Sequence, residues 1–306
     1  MRISIVTSLY NSSPYLKDFY EEYLTIIKES KLEYEFILVD DGSKDKSIRT
    51  AKEICLKDKN VKLIILSRNF GQHNAIYAGL MHSKHECVFV CDVDLEDNPL
   101  NLKIMIDELK DENIDVVYSV FRERKGGVIR GSLGTIFYSI FSMLTDQKIE
   151  RNQSWQRLMK RRYVDNLLSF NEYESYTAGL MYLTGFNQKV IYAERKYKGI
   201  SSYNFLKRFT QALNAIISFS SKPLTIISIF GFLISLISLI FIIYIVIQKL
   251  FNVNYEAGWS SLILSIWLMG GMIMSSIGIV GLYISKIYNQ VKNRPKFIIK
   301  NIINEN

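Results

Sequence analysis

Four acidic residues crowd one short stretch, Asp92-Val93-Asp94-Leu95-Glu96-Asp97, with neither His nor Cys among them. Carboxylate oxygens without softer ligands suit Mg²⁺ or Mn²⁺, which bind through one or two carboxylates together with phosphate oxygens. Further along come Arg122, Arg124, Lys125 and Arg130. Such cations suit a diphosphate, because a guanidinium fork pairs two phosphate oxygens at once. Carboxylates for a metal and cations for phosphates imply a nucleoside-diphosphate substrate. By itself the acidic run also fits a solvated turn that opens a helix, with Asp97 or Asn98 as N-cap. No GxxxxGK[ST] loop is present and no GxGxxG follows the first strand, which disfavours ordinary P-loop and dinucleotide sites. His73, His82 and His85 show no zinc-site spacing.

Alternating strand and helix patterns position these residues. Strands are expected at Ile3–Thr7, Glu35–Val39, Val61–Leu66, Val88–Cys91 and Val116–Val120. Helices are expected at Tyr15–Ser30, Lys46–Lys57, Gln72–His82 and Leu100–Lys110. Repeated βα units make an α/β domain whose mostly parallel sheet is covered on both faces. Ligands then bind at the carboxyl ends of the strands. Polar residues gather at each such end: Tyr10-Asn11-Ser12-Ser13, Asp40-Asp41-Gly42-Ser43, Ser67-Arg68-Asn69-Phe70-Gly71-Gln72, the acidic run, and Phe121-Arg122-Glu123-Arg124-Lys125. One polar loop means little; five on one sheet edge make a site.

The chain has 306 residues, 48% hydrophobic and 22% charged, with a net charge of +8. That is one full domain plus an appendage. A basic protein fits an anionic membrane surface as well as it fits nucleic acid. The appendage decides between them. No charge occurs between Lys222 and Lys249, and the run from Leu224 to Ile247 exceeds the roughly 20 residues that cross a bilayer. A second uncharged stretch lies between Glu256 and Lys286, with Gly270, Gly271, Gly278 and Gly281 for close helix contact. Lys207, Arg208 and Lys222 precede the pair, and Lys286, Lys292, Arg294, Lys296 and Lys300 follow it. The positive-inside rule puts both flanks, and so both termini, in the cytoplasm. The expected organisation is a catalytic domain over 1–202, an amphipathic juxtamembrane helix over 203–222, two transmembrane helices over 223–286, and a basic tail over 287–306. The three cysteines, Cys55, Cys87 and Cys91, form no CxxC and read as core residues in a reducing compartment. The N-terminus lacks the long apolar run of a signal peptide.

Val39-Asp40-Asp41-Gly42-Ser43, Leu66-Ser67-Arg68-Asn69-Phe70-Gly71-Gln72-His73, the acidic run, Arg157-Leu158-Met159, Gly199-Ile200-Ser201-Ser202-Tyr203 and the C-terminal hairpin together resemble the family-2 glycosyltransferases of GT-A fold. The similarity is greater to the polyprenyl-phosphate group, which includes dolichol-phosphate mannose synthase and bacterial undecaprenyl-phosphate sugar transferases. It covers nearly the whole chain. It implies an inverting transfer from a nucleotide sugar, UDP-linked by preference, to a polyprenyl phosphate for the cell envelope. Asp92, Asp94 and Glu96 would hold Mg²⁺ or Mn²⁺, with Asp94 catalytic. Arg122 and Arg130 would steady the diphosphate or lipid phosphate. Tyr10, Asn11, Asp41, Arg68, Asn69, Gly71 and Arg157 would line the donor site, with Asp41 on the nucleoside. Arg195, Lys196, Lys198 and Ser201 would meet the acceptor phosphate. The implied partners are donor, acceptor and membrane lipid, with no nucleic acid; a homo-oligomer is admitted.

Several positions depart from the family pattern. Ser8 replaces a Pro, Ser12 a Glu, Glu96 a Gln and Ser202 a Lys. Most relevant to chemistry, Trp155 stands where many relatives have an Asp before Phe-Arg-Leu; some that transfer amino-arabinose lack it too. A sugar hydroxyl acceptor benefits from a general base. A phosphate monoester, with its second pKa near about 6, is already anionic and needs none. Three alternatives remain open: a membrane-anchored transferase with a non-lipid acceptor, a processive synthase, and a non-catalytic scaffold or lipid-sugar translocation partner. The synthase reading lacks its Gln-x-x-Arg-Trp motif.

Overall fold

The computed structural model describes residues 1–121, 153–170, 172, 181, 183–193, 217, 220–250 and 258–304. Short runs rich in Val, Ile and Phe become strands buried on both faces: β1 (Arg2–Leu9), β2 (Glu33–Asp40), β3 (Val61–Leu66) and β4 (Cys87–Val90). They run parallel in the order β4-β1-β2-β3, with Ile5 opposite both Phe36 and Phe89. Their carboxyl ends therefore share one edge. The intervening helices are α1 (Leu16–Glu29), α2 (Ser47–Lys57) and α3 (Gln72–Met81), followed by α4 (Asn101–Leu109). In α1 the buried residues Leu16, Phe19, Tyr23, Ile26 and Ile27 recur at helical spacing. They pack with Ile3, Ile5, Leu38 and Phe89 in the main core. On the opposite face α3 approaches so closely that a Cβ on Gly79 would lie 2.4 Å from Val6 Cγ1.

Three further elements on the other side of β4 were not visible as periodic patterns. β5 (Val116–Phe121) was expected, but its neighbour in the sheet is β6 (Gln153–Lys160), an antiparallel strand wedged between β5 and β4. The helix α5 (Arg161–Ser169) and the strand β7 (Gln188–Ala193), parallel to β5, complete that side. Val90 faces Arg157, so residues 153–156 run on past the end of β4, alongside the acidic stretch.

The basic tail expected over 287–306 is corrected in part. The last helix continues to Val291, and Ile299–Ile303 forms a strand, β8, antiparallel to β3. Ile303 packs against the main core, and Asn304 donates to the carbonyls of Cys55 and Val61 at 2.9 and 3.0 Å. An edge strand left bare invites pairing with other chains, and β8 covers it. The sheet, its helices and β8 form one compact unit.

The second unit holds α6 (Lys222–Leu250) and α7 (Trp259–Val291). By length and composition one described stretch, Ser265–Val291, is long and apolar enough to cross a membrane, with mean hydropathy 1.7. Its side chains are open: Trp267 is 78% exposed and Met274 75%. The amphipathic helix expected over 203–222 lies outside the described residues apart from 217 and 220–222. All three cysteines are free and buried.

Candidate active site

The loops at the carboxyl edge are fastened to one another before any ligand arrives. Asp40 Oδ2 accepts the N–H groups of Gly42 and Ser43, each at 3.1 Å, and so closes its own turn. Asp41 reaches the other way. Its Oδ1 accepts from Phe70 N–H at 2.6 Å and its Oδ2 from Gly71 N–H at 2.9 Å. Burial raises the pKa of both carboxyls, against the lowering effect of these N–H donors. Asp41, expected on the nucleoside, is thus buried and clamps the loop after β3.

Gly42 has φ +73°, and a Cβ there would lie 2.7 Å from Asn69 N and 2.8 Å from Arg68 C. The second and third loops touch backbone to backbone, where neither can yield as a side chain would. Gly42→Ala is expected to destabilise the protein by about 1–3 kcal/mol, from overpacking and a disfavoured φ. It also tilts the Arg68-Asn69 loop and lowers activity. Thermal melting measures the first effect; an unchanged melt would mean the loops do not meet this way.

Asn11 has φ +54°, a conformation Asn tolerates. Its N–H donates to Ser43 Oγ at 3.1 Å and its Oδ1 accepts from Lys44 N–H at 2.9 Å. Tyr10 stands exposed beside it. Arg68 and Asn69 are exposed on the rim, with the Arg68 guanidinium 4.3 Å over the Phe70 ring.

The acidic stretch is held from two sides. Gln72, at the start of α3, donates to Asp92 Oδ1 at 2.6 Å. Ser154 of β6 donates to the buried Asp97 at 2.5 Å. Between Asp94 and Glu96 the backbone turns left-handed at Leu95, φ +57°, and Asp94 Oδ1 accepts the Glu96 N–H at 3.1 Å. The partly buried Leu95 side chain packs on the main core, which holds this strained turn. Burial, reinforced by Asp94, Asp97 and Glu96, pushes the Asp92 carboxyl up to about 8.

Among the described residues no group of three or more His, Cys, Asp or Glu side chains is arranged to hold a metal. Asp92, Asp94 and Glu96, expected to hold the metal, lie within one six-residue stretch at the end of β4. Asp92 is turned to Gln72 and Asp94 to the Glu96 N–H. The oxygen-only donors still fit a hard divalent cation. A carboxyl that burial forces toward protonation, as at Asp92, is where added positive charge is most favourable.

Arg157, another expected substrate residue, is 2% exposed. It donates to Gln153 Oε1 at 2.7 Å, and its guanidinium lies 4.7 Å over the Tyr118 ring. Gln156 is buried among Asn101, Tyr23 and the Asn98 carbonyl. Trp155, in the place of the missing Asp, meets His73 with ring centroids 5.0 Å apart at 58°. Arg122, Arg130, Arg195, Lys196, Lys198 and Ser201 lie outside the described residues. Gln72 and Ser154 were given no role from sequence. The strand-end rule pointed at Gln72; nothing local pointed at Ser154, because its partner depends on how β6 pairs.

Burial holds the His73 pKa down at about 4. Below the ordinary value of 6.5 the unfolded chain takes up a proton that the folded chain refuses until about 4. Stability therefore falls as pH drops through that window, by up to about 1.4 kcal/mol per pH unit, less whatever solvent screening removes. His73→Phe keeps a ring against Trp155 and should flatten the slope between pH 4.5 and 7 in urea melts. An equally steep slope in the variant would remove His73 from this role.

Residues 4–168, from β1 through α5, match the family model described as glycosyl transferase family 2. The chain is a family-2 glycosyltransferase. This glycosyltransferase is 37% identical to a protein named "Putative glycosyltransferases" from Mycobacterium tuberculosis, over 99% of this chain and 88% of the relative. It is 32% identical to the prophage-derived bactoprenol glucosyl transferase of Shigella flexneri, over 98% of each chain. A mycobacterial protein of known crystal structure shares the fold, with TM-score 0.51 and 15% identity over 72% of this chain and 74% of that one. The matched residues include every described loop of the edge built above.

Proposed function

We propose that this glycosyltransferase moves a sugar, with inversion, from a nucleotide-diphosphate donor (UDP-linked by preference) to a polyprenyl phosphate such as undecaprenyl phosphate, at the cytoplasmic face of a membrane. The observation that carries the acceptor is the end-to-end similarity to bactoprenol glucosyl transferase. The site agrees in kind: beside the acidic stretch β6 offers Trp155 and a buried Arg157, neither a proton acceptor. An acceptor that arrives ionised suits such a site. Its phosphate oxygen bonds to the anomeric carbon as the bond to the nucleoside diphosphate breaks.

Asp92 and Asp94, with Glu96 close in sequence, would hold Mg²⁺ or Mn²⁺, which supplies positive charge for the leaving diphosphate. Arg122 and Arg130 would steady the same diphosphate. Tyr10, Asn11, Arg68 and Asn69 on the exposed rim, with Asp41 and Gly71 behind them, would form the nucleotide end. Arg195, Lys196, Lys198 and Ser201 would receive the acceptor phosphate near the membrane.

Two spans, α6 and α7, are part of the same proposal. The support is chain connectivity. The strands β1 to β7 before α6 belong to the sheet, and β8 after α7 pairs into that same sheet. A sheet lies on one side of a membrane, so any crossings between the two must be even in number. α6, with no charge between Lys222 and Lys249, supplies the partner crossing. The lysines and arginines around the helices support a cytoplasmic sheet by the positive-inside rule.

Purified full-length protein, undecaprenyl phosphate, Mn²⁺ or Mg²⁺ and a panel of labelled nucleotide sugars test the reaction. Labelled lipid from one donor is expected, and none from any donor would sink the reading. A C-terminal tag reachable only from outside the cell would overturn the topology.

A further inference from the structure

Two hydrogen bonds tie separate elements to the acidic stretch, Gln72 to Asp92 from α3 and Ser154 to Asp97 from β6. The next residue along each chain is aromatic, and these two, His73 and Trp155, meet ring against ring. The pair therefore bridges α3 and β6 beside the carboxylates. Strand alternation sorts the neighbours. Ser154, Gln156 and Leu158 face the α1–α4 side, where Gln156 bonds Tyr23 and Asn101 and Leu158 joins the main core. Gln153, Trp155 and Arg157 share the other face, and Gln153 bonds Arg157 there. Trp155 is only half-buried, so part of its indole stays open.

An indole is no ligand for a hard divalent cation and accepts no proton; apart from its one N–H donor its surface is apolar. It offers a flat apolar surface within a crowd of carboxylates. Two parts of a nucleotide sugar gain from such a surface, the base and the C–H face of the sugar ring. The base is assigned to the loops after β1, β2 and β3, and β6 lies across β4 from them, which leaves the sugar ring. A sugar bearing its own carboxylate would meet Asp94 and Glu96 as like charges.

We propose that Trp155, backed by His73, is a specificity residue that packs on the donor's sugar ring, selects uncharged sugars over uronic acids, and keeps water from the anomeric carbon. This rests on the nucleotide-sugar reading above. Without the indole, water takes the acceptor's place: its oxygen bonds to the anomeric carbon, the bond to the diphosphate breaks, and free sugar, UDP and a proton result.

The test uses full-length protein in detergent with Mn²⁺. Affinities are measured for UDP, UDP-glucose, UDP-galactose, UDP-N-acetylglucosamine and UDP-glucuronate, and free sugar is counted beside labelled lipid. Trp155→Ala should leave UDP affinity within about twofold and weaken the preferred neutral UDP-sugar about tenfold, the loss of one apolar contact face. Its free-sugar fraction should rise severalfold. Trp155→Leu, which keeps bulk without a ring, should behave like Trp155→Ala even if the latter folds poorly. Trp155→Phe should restore most of the affinity, which a purely structural role would not require. Wild type should bind UDP-glucuronate no better than UDP. Equal weakening of UDP and UDP-sugar in the Leu and Ala variants, no weakening at all, or a preference for UDP-glucuronate overturns the proposal while wild-type transfer still stands. A wild-type chain that binds none of these ligands and labels no lipid overturns it together with the donor reading.

Discussion

Asp94→Ala lowers sugar transfer by about a thousandfold while the protein stays folded. The leaving group is a nucleoside diphosphate, and charge builds on it as the sugar departs. Removing one preorganised partner of such charge costs about 3–4 kcal/mol of barrier. Asp94 lies on a left-handed turn pinned by the packing of Leu95, so its carboxylate is held without the ligand. Its loss takes away the contact to the Glu96 N–H, which lies in the loop and not in the sheet. Asp92→Asn should act in the same direction. It keeps an oxygen for the Gln72 amide and removes only the charge, and raised Mn²⁺ should recover part of the rate. Labelled-lipid formation measures both variants. Full activity in Asp94→Ala would remove the role assigned to the acidic stretch.

Ending the chain at Asn293, before β8, lowers the melting temperature of the sheet unit by about 10 °C and costs activity. The strand contributes its ladder to β3 at roughly 1 kcal/mol per hydrogen bond. Partial burial of Ile299, Ile302 and Ile303 and the two bonds from Asn304 add to it. A total of about 3–5 kcal/mol corresponds to that shift for a unit of this size. Ser67 N–H also donates to Ile298 O at 2.9 Å, just before the Arg68-Asn69 rim. Lys296 lies 4.0 Å over the Tyr77 ring of α3 and donates to the Phe170 carbonyl at 3.1 Å. Truncation thus loosens the start of the third loop and the helix that carries Gln72 and His73. Asn304→Ala, which leaves two carbonyls without their donor, should cost about 1 kcal/mol. Differential scanning calorimetry separates the two variants, and an unchanged melt after truncation would show that β8 is dispensable.

The residue order alone settled the βα succession through β5. Strands and helices there begin and end within a residue or two of their expected positions, because apolar periodicity is a local property of the chain. The same order settled that the polar loops share one edge, since parallel strands must put like ends together. Tertiary structure decided the rest. β6 is polar at its start, Gln153-Ser154-Trp155-Gln156, because those residues lie past the end of β4, where Ser154 bonds Asp97 and Gln156 bonds Tyr23 and Asn101, so no apolar alternation announced it. β8 is a five-residue segment among lysines and asparagines whose apolar side chains find partners only on β3 and the core. Which acidic side chain bonds to what was equally invisible. Asp41 clamps a neighbouring loop and Asp92 takes an amide from α3 because strand register and the close approach at Gly42 bring those groups together, and neither is written in the spacing of the residues themselves.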